Sequence, residues 1–306
     1  MSETIHIVLA TDRRCVLGCA VSMQSTMDST DPAFPLHFHL FFNPDVATRD
    51  REQLVRTVRD ARRPGEISTG QFNPQPVRHL TRSKLITHTA YALCCLETLV
   101  PDEVDRCIVV DCDLVVRRDL QELWSLDLQG HTVGAVLNGS PEDSRQHQER
   151  LGLSEARYFN SGVLLVDLAR WRERRVGARA LEVADRIGAR LILHDQDALN
   201  HVLQGDWVGI PPHWNRWVIL PGLRADEAAV FHYMGAPKPW HADYDRPFPE
   251  LFFQHLDRTP FRGWRPWNPG GVGAGLTRLR RRIPSLPGII RVVRLKLSPG
   301  AVEQAP

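Results

Sequence analysis

The chain has 306 residues, of which 42% are hydrophobic and 24% charged; this excludes a disordered polypeptide and leaves room for one large domain or two small ones. No apolar run reaches the roughly 18 residues of a membrane span, and Met1-Ser2-Glu3-Thr4 lacks a basic n-region, which predicts no secretory signal. The net charge of +2 divides unevenly: residues 1–257 hold 28 Lys and Arg against 35 Asp and Glu, whereas residues 258–302 hold ten basic residues and no acid.

In chain order, the first element is the β-branched run Ile5-His6-Ile7-Val8-Leu9-Ala10, a strand that ends at Thr11-Asp12. Residues 17–28 can form a helix with Val21 and Met23 inward, and Leu36 to Phe42 reads as a second strand. Residues 48–61 predict a surface helix, and residues 83–99 another, carrying Leu85, Ala92, Leu93 and Leu96. Cys107-Ile108-Val109-Val110 is apolar throughout, as a strand covered on both faces should be. Val133 to Leu137 and Gly162 to Val166 are further strands, residues 173–188 a helix, and Trp207 to Pro212 and Ala229 to Tyr233 short strands. After Asp257 the composition turns to Pro, Gly, Trp and Arg, which places a boundary near residue 258. Strands alternating with helices predict an α/β fold with a Rossmann-like, mostly parallel sheet flanked by helices. The six cysteines form no C-x-x-C pair and read as mostly buried thiols of a reducing compartment, hence a cytoplasmic protein.

Ligands of open α/β sheets bind outside the carboxyl ends of the strands. Two of the predicted strands end in acid: Asp12 follows the first, and Asp111 and Asp113 follow the third. In a turn after a strand, two carboxylates one residue apart can face one hard divalent cation, which in turn can bridge a diphosphate. An isolated D-x-D is more often a solvated turn; the buried apolar strand leading into this one puts the site on an equal footing with that reading. The second feature is Phe231-His232-Tyr233-Met234-Gly235-Ala236-Pro237-Lys238-Pro239-Trp240. Gly235 permits close backbone approach, and Lys238, one of three lysines against 35 arginines, offers a compact charge suited to phosphate. A proline-stiffened structural turn is the other reading of this segment.

Four segments occur in order: the D-x-D, Tyr158-Phe159-Asn160-Ser161-Gly162-Val163-Leu164-Leu165-Val166-Asp167, His194-Asp195-Gln196-Asp197-Ala198-Leu199-Asn200, and His232-Tyr233-x-Gly235-x-x-Lys238-Pro239-Trp240. Together they resemble glycosyltransferase family 8, the group of bacterial lipooligosaccharide α-galactosyltransferases and glycogenin, over roughly residues 4–242. The resemblance implies a GT-A nucleotide-diphospho-sugar transferase fold over residues 1–257. It implies transfer of galactose or glucose from a UDP-sugar, with retention and an α linkage, to a carbohydrate or glycolipid acceptor, supported by Mn2+ with Mg2+ as the alternative ion. Carried over, Asp111, Asp113 and His232 match the metal ligands, a donor set suited to Mn2+. Ala10, Thr11 and Asp12 match the uridine-binding end of the first strand, and Gly235 and Lys238 the diphosphate contacts. Asn160 and Ser161 match residues lining the sugar site, and His79 a segment at the donor and acceptor cleft. Asp195 matches the carboxylate that holds donor hydroxyls, and Gln196 the residue beneath the reacting face; these are the two catalytic candidates. Cys112, between the metal carboxylates, is expected at the donor with its side chain toward the core. An amide is a poor nucleophile, so the family implies a front-face substitution in which the departing phosphate oxygen helps deprotonate the acceptor.

One position departs from the family pattern. Leu93 stands where the helix before the D-x-D usually carries a cation to the donor, and Arg82 or Lys84 could replace it. That loss leaves a non-catalytic nucleotide-sugar-binding protein as the alternative. A nucleotidyltransferase also pairs carboxylates on a strand, but no Gly-rich triphosphate loop follows the first strand. Arg13 and Arg14 read as solvated or phosphate-facing, and Trp214 and Trp217 as sugar-stacking or loop-packing residues. Gly270 to Gly275 follows Pro269 rather than a strand and reads as a flexible linker. The tail, residues 258–306, mixes Arg with Leu, Ile and Val, which predicts either peripheral attachment to an anionic membrane at the inner face of the cell membrane or a disordered solubilising tail. The acidic body and the lack of a recognition module predict no nucleic acid partner.

Overall fold

The structure, a computed structural model, describes residues 3–63, 65–81, 87–155, 157–220 and 222–267. Leu85, Arg82, Lys84, the Gly270 segment and the basic tail from residue 268 lie outside the described residues.

The larger sheet contains β1 (Ile5–Thr11), β2 (Leu36–Phe42), β3 (Glu66–Gln71), β4 (Arg106–Val110), β6 (Val133–Leu137), β7 (Phe159–Asp167) and β8 (Trp207–Gly209), in the order β3-β2-β1-β4-β7-β6-β8. The pairs β1/β2, β2/β3, β1/β4 and β6/β8 are parallel, and β7 runs antiparallel to β4 and β6. A smaller sheet joins β5 (Leu114–Val116), β10 (Val230–His232) and β9 (Arg216–Trp217), with β10 in the middle. The helices are α1 (Val16–Ser29), α2 (Thr48–Arg59), α3 (Leu96–Leu99), α4 (Leu120–Trp124), α5 (Pro141–Leu151), α6 (Leu168–Glu173), α7 (Val176–Ile187), α8 (Asp195–Val202) and α9 (Pro249–Leu256).

Alternation along the strands sorts side chains into two cores. Ile5, Ile7 and Leu9 of β1 pack with Leu36, Phe38 and Leu40 of β2 beneath α1 and α2. Val8 and Phe41 face the opposite core, which α7 and α8 cover with Val176, Ala180, Ala198 and Leu199. A third cluster, with Val115, Phe231, Trp240 and Phe252, fills the space around the smaller sheet and α9. The packed body runs past residue 257: Thr259 is buried, and Phe261 packs against two of the clusters. All six cysteines are free, four of them buried.

Because β1 lies between β2 and β4, the chain runs outward in one direction from β1 to β3 and then returns to its other side. Such a switch point leaves a crevice at the carboxyl ends of the two central strands. Asp12 follows β1 there, and Asp111 follows β4.

Two helices differ from expectation. Residues 83–99 do not form one α-helix: His88–Cys95 is a 3-10 helix that runs into α3. Its buried residues include Thr89, Ala92, Tyr91 and Cys94, two pairs three apart, the spacing a 3-10 helix aligns. It also packs tightly on α7, since a Cβ at Gly177 would lie 2.0 Å from the Cys94 carbonyl oxygen. Residues 173–188 are likewise divided. Asp167 caps α6 by accepting the Arg170 N–H at 2.9 Å, and Arg175 breaks the helix in the left-handed region at φ 51°. The run Arg172-Glu173-Arg174-Arg175 supplies no apolar residue to continue the buried stripe.

His6, His37 and His39 form a compact group on one face near the start of β1 and β2. Burial and the neighbouring rings push His39 down to about 3, and burial and His37 lower His6 as well.

Candidate active site

The crevice is a cavity of about 750 Å³. Ala10, Asp12, Asp111, Cys112, Asp113, Asn160, Ser161, Asp195, Gln196, His232, Gly235 and Lys238, all expected at the site, line it. Thr11 and His79 are not brought in. Thr11 is a buried β1 residue whose hydroxyl turns to the Asp12 carbonyl. His79 is largely exposed and faces Asp185 at 3.2 Å, in the turn that follows the 3-10 helix Gln75–Val77.

The Asp111-Cys112-Asp113 turn is held at every residue. The Asp111 N–H donates to the Gly162 carbonyl at 2.9 Å, and the Asp113 carbonyl accepts the Tyr233 N–H at 2.9 Å. Cys112 is buried and its Sγ donates to the Ala10 carbonyl at 3.1 Å. From below, α1 presents serines three and four residues apart on one face. Ser22 Oγ lies 3.2 Å from the Asp111 carbonyl and accepts the Leu114 N–H at 3.2 Å, while Ser25 accepts the Val116 N–H and Ser29 donates to the Val116 carbonyl. Gly18 permits this approach, since a Cβ there would lie 2.1 Å from the Cys112 carbonyl oxygen.

His232, at the end of β10, meets these carboxylates. Its Nε2 is 3.3 Å from Asp113 Oδ1 and 3.7 Å from Asp111 Oδ2. One ligand atom from each of Asp111, Asp113 and His232 lies within 4.8 Å of the others. A chain of amides fixes which nitrogen of His232 faces inward. The Gly162 N–H can only donate, and it donates to Asn160 Oδ1 at 3.0 Å. That oxygen therefore accepts from Asn215 Nδ2 at 2.7 Å, which leaves Asn215 Oδ1 to accept from His232 Nδ1 at 2.9 Å. Nδ1 thus carries a hydrogen, which leaves Nε2 as the nitrogen that faces the two carboxylates and can ligate a cation held between them. A group of acceptors so arranged fits a divalent cation, and the mixed oxygen and nitrogen set fits Mn2+.

Lys238 stands beside this group. Its Nζ pairs with Asp113 and donates to the Tyr233 carbonyl at 2.9 Å. Burial alone would raise the Asp113 carboxyl, but Lys238 and His232 hold it below the usual range. Restricted hydration and the neighbouring Asp113 push Asp111 up. Gly235 lies in the left-handed region at φ 75°, and Arg246 ties the loop by donating to the Met234 carbonyl at 2.6 Å. Trp240 pins the loop to the turn after β1 through a 3.0 Å bond to the Arg14 carbonyl.

The opposite wall is a network around Gln196. Its Oε1 accepts from the Ser161 N–H at 3.0 Å and Asn160 Nδ2 at 3.1 Å, and its Nε2 donates to Tyr158 Oη at 3.2 Å. Behind it, Asp197 has no exposed side-chain surface and accepts two bonds from Arg150, at 2.7 and 3.0 Å, and others from Tyr158, Ile192 and Leu193. Burial opposes ionisation of Asp197, yet Arg150 holds its carboxyl below the ordinary range. Asp195 is the contrast: buried and near Asp111, its carboxyl is raised well above that range.

Asp12 is already engaged, accepting from the Arg14 N–H at 2.8 Å and from Thr87 Oγ1 at 2.7 Å. Arg13 is exposed beside Asp45, whereas Arg14 lines the cavity. Leu93 also lines it and presents no charge. Trp214 is core; Trp217 is buried but reaches the cavity wall. Sequence reasoning missed Asn138, Asn215, Tyr158 and Arg150. Asn138 directly follows β6, the strand-end position that marks ligand sites, and this was a usable signal. Asn215 sits in a short 3-10 turn with no pattern to disclose it.

Comparison with known proteins identifies the family and the fold. General stress protein A of Bacillus subtilis is 28% identical over 281 residues, 84% of this chain and 94% of its own. The lipopolysaccharide 1,3-galactosyltransferase of Salmonella typhimurium is 24% identical over 282 residues, covering 88% and 82% of the two chains. A crystal structure of the galactosyltransferase LgtC with donor and acceptor sugar analogues superposes with a TM-score of 0.73 at 24% identity, over 84% of this chain and 96% of that one. The fold is therefore of the GT-A type. The family model for glycosyl transferase family 8 matches residues 6–244, so this glycosyltransferase chain belongs to that family.

Proposed function

We propose that the protein is a retaining, metal-dependent hexosyltransferase that moves galactose or glucose from a UDP-sugar to a carbohydrate or glycolipid acceptor in an α linkage. The observation that carries this reading is the convergence of Asp111, Asp113 and His232 in a cavity that also holds Lys238 and Gln196. Relatives named as lipopolysaccharide 1,3-galactosyltransferase and lipopolysaccharide 1,2-glucosyltransferase support a hexose and a glycolipid acceptor.

When bound, Mn2+ (or Mg2+) supplies positive charge for the leaving diphosphate. Asp111, Asp113 and His232 would hold it. Lys238, released from Asp113, neutralises phosphate oxygens as the bond from the anomeric carbon to the β-phosphate breaks. Asp195, its carboxyl raised and protonated over a wider pH range, hydrogen-bonds donor hydroxyls. Gln196 sets its amide dipole beneath the sugar; with Oε1 already accepting from Asn160 and Ser161, it orients rather than attacks. The acceptor hydroxyl forms the new bond on the departing face and gives its proton to the leaving phosphate oxygen, so that UDP and an α-glycoside result.

In this reading residues 1–257 and the packed residues up to Phe261 form the catalytic unit, and the basic segment beyond Trp267 attaches the protein to an anionic membrane surface. Exposed Trp264 and Trp267, just before that segment, suit the headgroup level. No helix among the described residues is long and apolar enough to cross a membrane.

The test is UDP release from a panel of UDP-hexoses, with Mn2+ and with excess chelator. Chelator-sensitive release from UDP-galactose or UDP-glucose supports the reading. Saturable binding without turnover returns the non-catalytic alternative, and chelator-insensitive turnover refutes the metal assignment.

A further inference from the structure

None of the histidines at the start of β1 and β2 lines the cavity, although Val8, the register partner of His39, does. His6 precedes Asp12 by six residues, roughly 20 Å along an extended strand. The sheet register brings the group together. His6 pairs with His37 and Val8 with His39 across β1 and β2, while His37 pairs with Glu66 and His39 with Ser68 across β2 and β3. The three side chains therefore share one face.

The rings are in contact. His6 Nδ1 is 3.0 Å from His39 Nε2, and the rings of His37 and His39 stack with centroids 4.4 Å apart. One nitrogen from each lies within 4.8 Å of the others. Zinc–imidazole bonds of about 2.0–2.1 Å in a tetrahedron set their nitrogens roughly 3.4 Å apart, so the distances are close to those required. Binding releases the proton of the His6–His39 hydrogen bond and turns the His37 ring out of its stack on His39 and away from Ser68. His37 Nδ1 also lies 3.4 Å from Glu66 Oε2, which places a carboxylate where it can serve as a fourth ligand or orient the ring. Glu3 and Glu103 add negative potential at His6.

We propose that His6, His37 and His39 form a second metal site, one that takes Zn2+ in preference to Mn2+ and ties β1 to β2 near the amino ends of these strands. Donor chemistry separates the two sites. An all-imidazole site favours Zn2+, whereas Mn2+ stands lowest in the divalent affinity order and depends on the carboxylates of Asp111 and Asp113. The proposal does not depend on which sugar is transferred, or on whether transfer occurs.

The experiment uses the full chain carrying Asp111→Asn and Asp113→Asn, so that the donor-site cation cannot report. After chelator treatment it is titrated with Zn2+ by calorimetry, its melting temperature is followed by circular dichroism, and Co2+ replaces Zn2+ for visible spectroscopy. Expected are one saturable equivalent, a higher melting temperature with Zn2+, and tetrahedral Co2+ bands without thiolate charge transfer. His37→Gln, and independently His6→Gln, should each weaken binding at least about tenfold without lowering the metal-free melting temperature by a comparable step. These two side chains are partly exposed, so the fold tolerates their replacement better than that of buried His39. Absence of saturable Zn2+ binding, binding unchanged by both substitutions, or a Co2+–thiolate band would each overturn the proposal.

Discussion

Replacing Arg150 by methionine isolates what the network behind Gln196 contributes. The Asp197 side chain has no solvent exposure, and Arg150 supplies two of its hydrogen bonds together with the opposing charge. Methionine keeps the stem and removes both. The cost is bounded, because a stranded carboxylate neutralises rather than remain charged. Protonating a carboxyl of ordinary pKa near 3.9 at pH 7 takes about 4 kcal/mol, at about 1.36 kcal/mol per unit. That ceiling agrees with the roughly 3–5 kcal/mol typical of a broken buried pair. At pH 5 it falls to about 1.5 kcal/mol. The sign follows from the shift. Asp197 is depressed in the folded chain, so its ion pair stabilises above the unfolded pKa and is lost as pH falls through the folded value. The variant should therefore be about 3–4 kcal/mol less stable at pH 7, a drop of roughly 6–16 °C in melting temperature, with a deficit at least halved at pH 5. Urea unfolding followed by far-UV circular dichroism at both pH values measures this. Adding Asp197→Asn to the variant should remove the pH dependence. A deficit below about 1 kcal/mol at pH 7, or one equal at both pH values, would refute the reasoning.

Three further substitutions probe the site. Asn215→Leu removes the acceptor that orients His232 Nδ1 and should weaken Mn2+ binding roughly 10–100-fold by titration calorimetry, while the unpaired buried Nδ1–H costs about 1–3 kcal/mol of stability. Gly162→Ala places a Cβ 2.5 Å from His232 Cε1, so it should weaken Mn2+ binding to a similar extent although it adds only one methyl group. Lys238→Met should lower the rate of UDP release by about 10²–10³ in kcat, if Lys238 stabilises charge that develops on the leaving diphosphate; an effect confined to KM would assign it to ground-state binding alone.

The central strands and the acids that end them were legible because a strand buried on both faces must be apolar, and the carboxylates that interrupt it stand out. The ordered motifs located both walls of the cavity. The 3-10 helix over His88–Cys95 was not legible, because its spacing is set by close packing on Gly177, a contact distant in sequence. His79 follows the family segment by position, yet it faces Asp185 from an exposed turn. The serines of α1 could have been found, since Ser22, Ser25 and Ser29 fall on one helical face. The amide chain through Asn160 and Asn215 could not: its members come from separate strands and turns, and only the Gly162 N–H fixes its direction.

The most direct measurement is equilibrium binding of Mn2+ to the full chain in the presence of UDP, read by electron paramagnetic resonance, for the natural protein and for Asp113→Asn. One UDP-dependent equivalent should bind to the natural protein and none to the variant, whose circular dichroism spectrum should be unchanged. Equal Mn2+ binding by a folded Asp113→Asn protein would contradict the assignment of Asp111, Asp113 and His232 as the cation site.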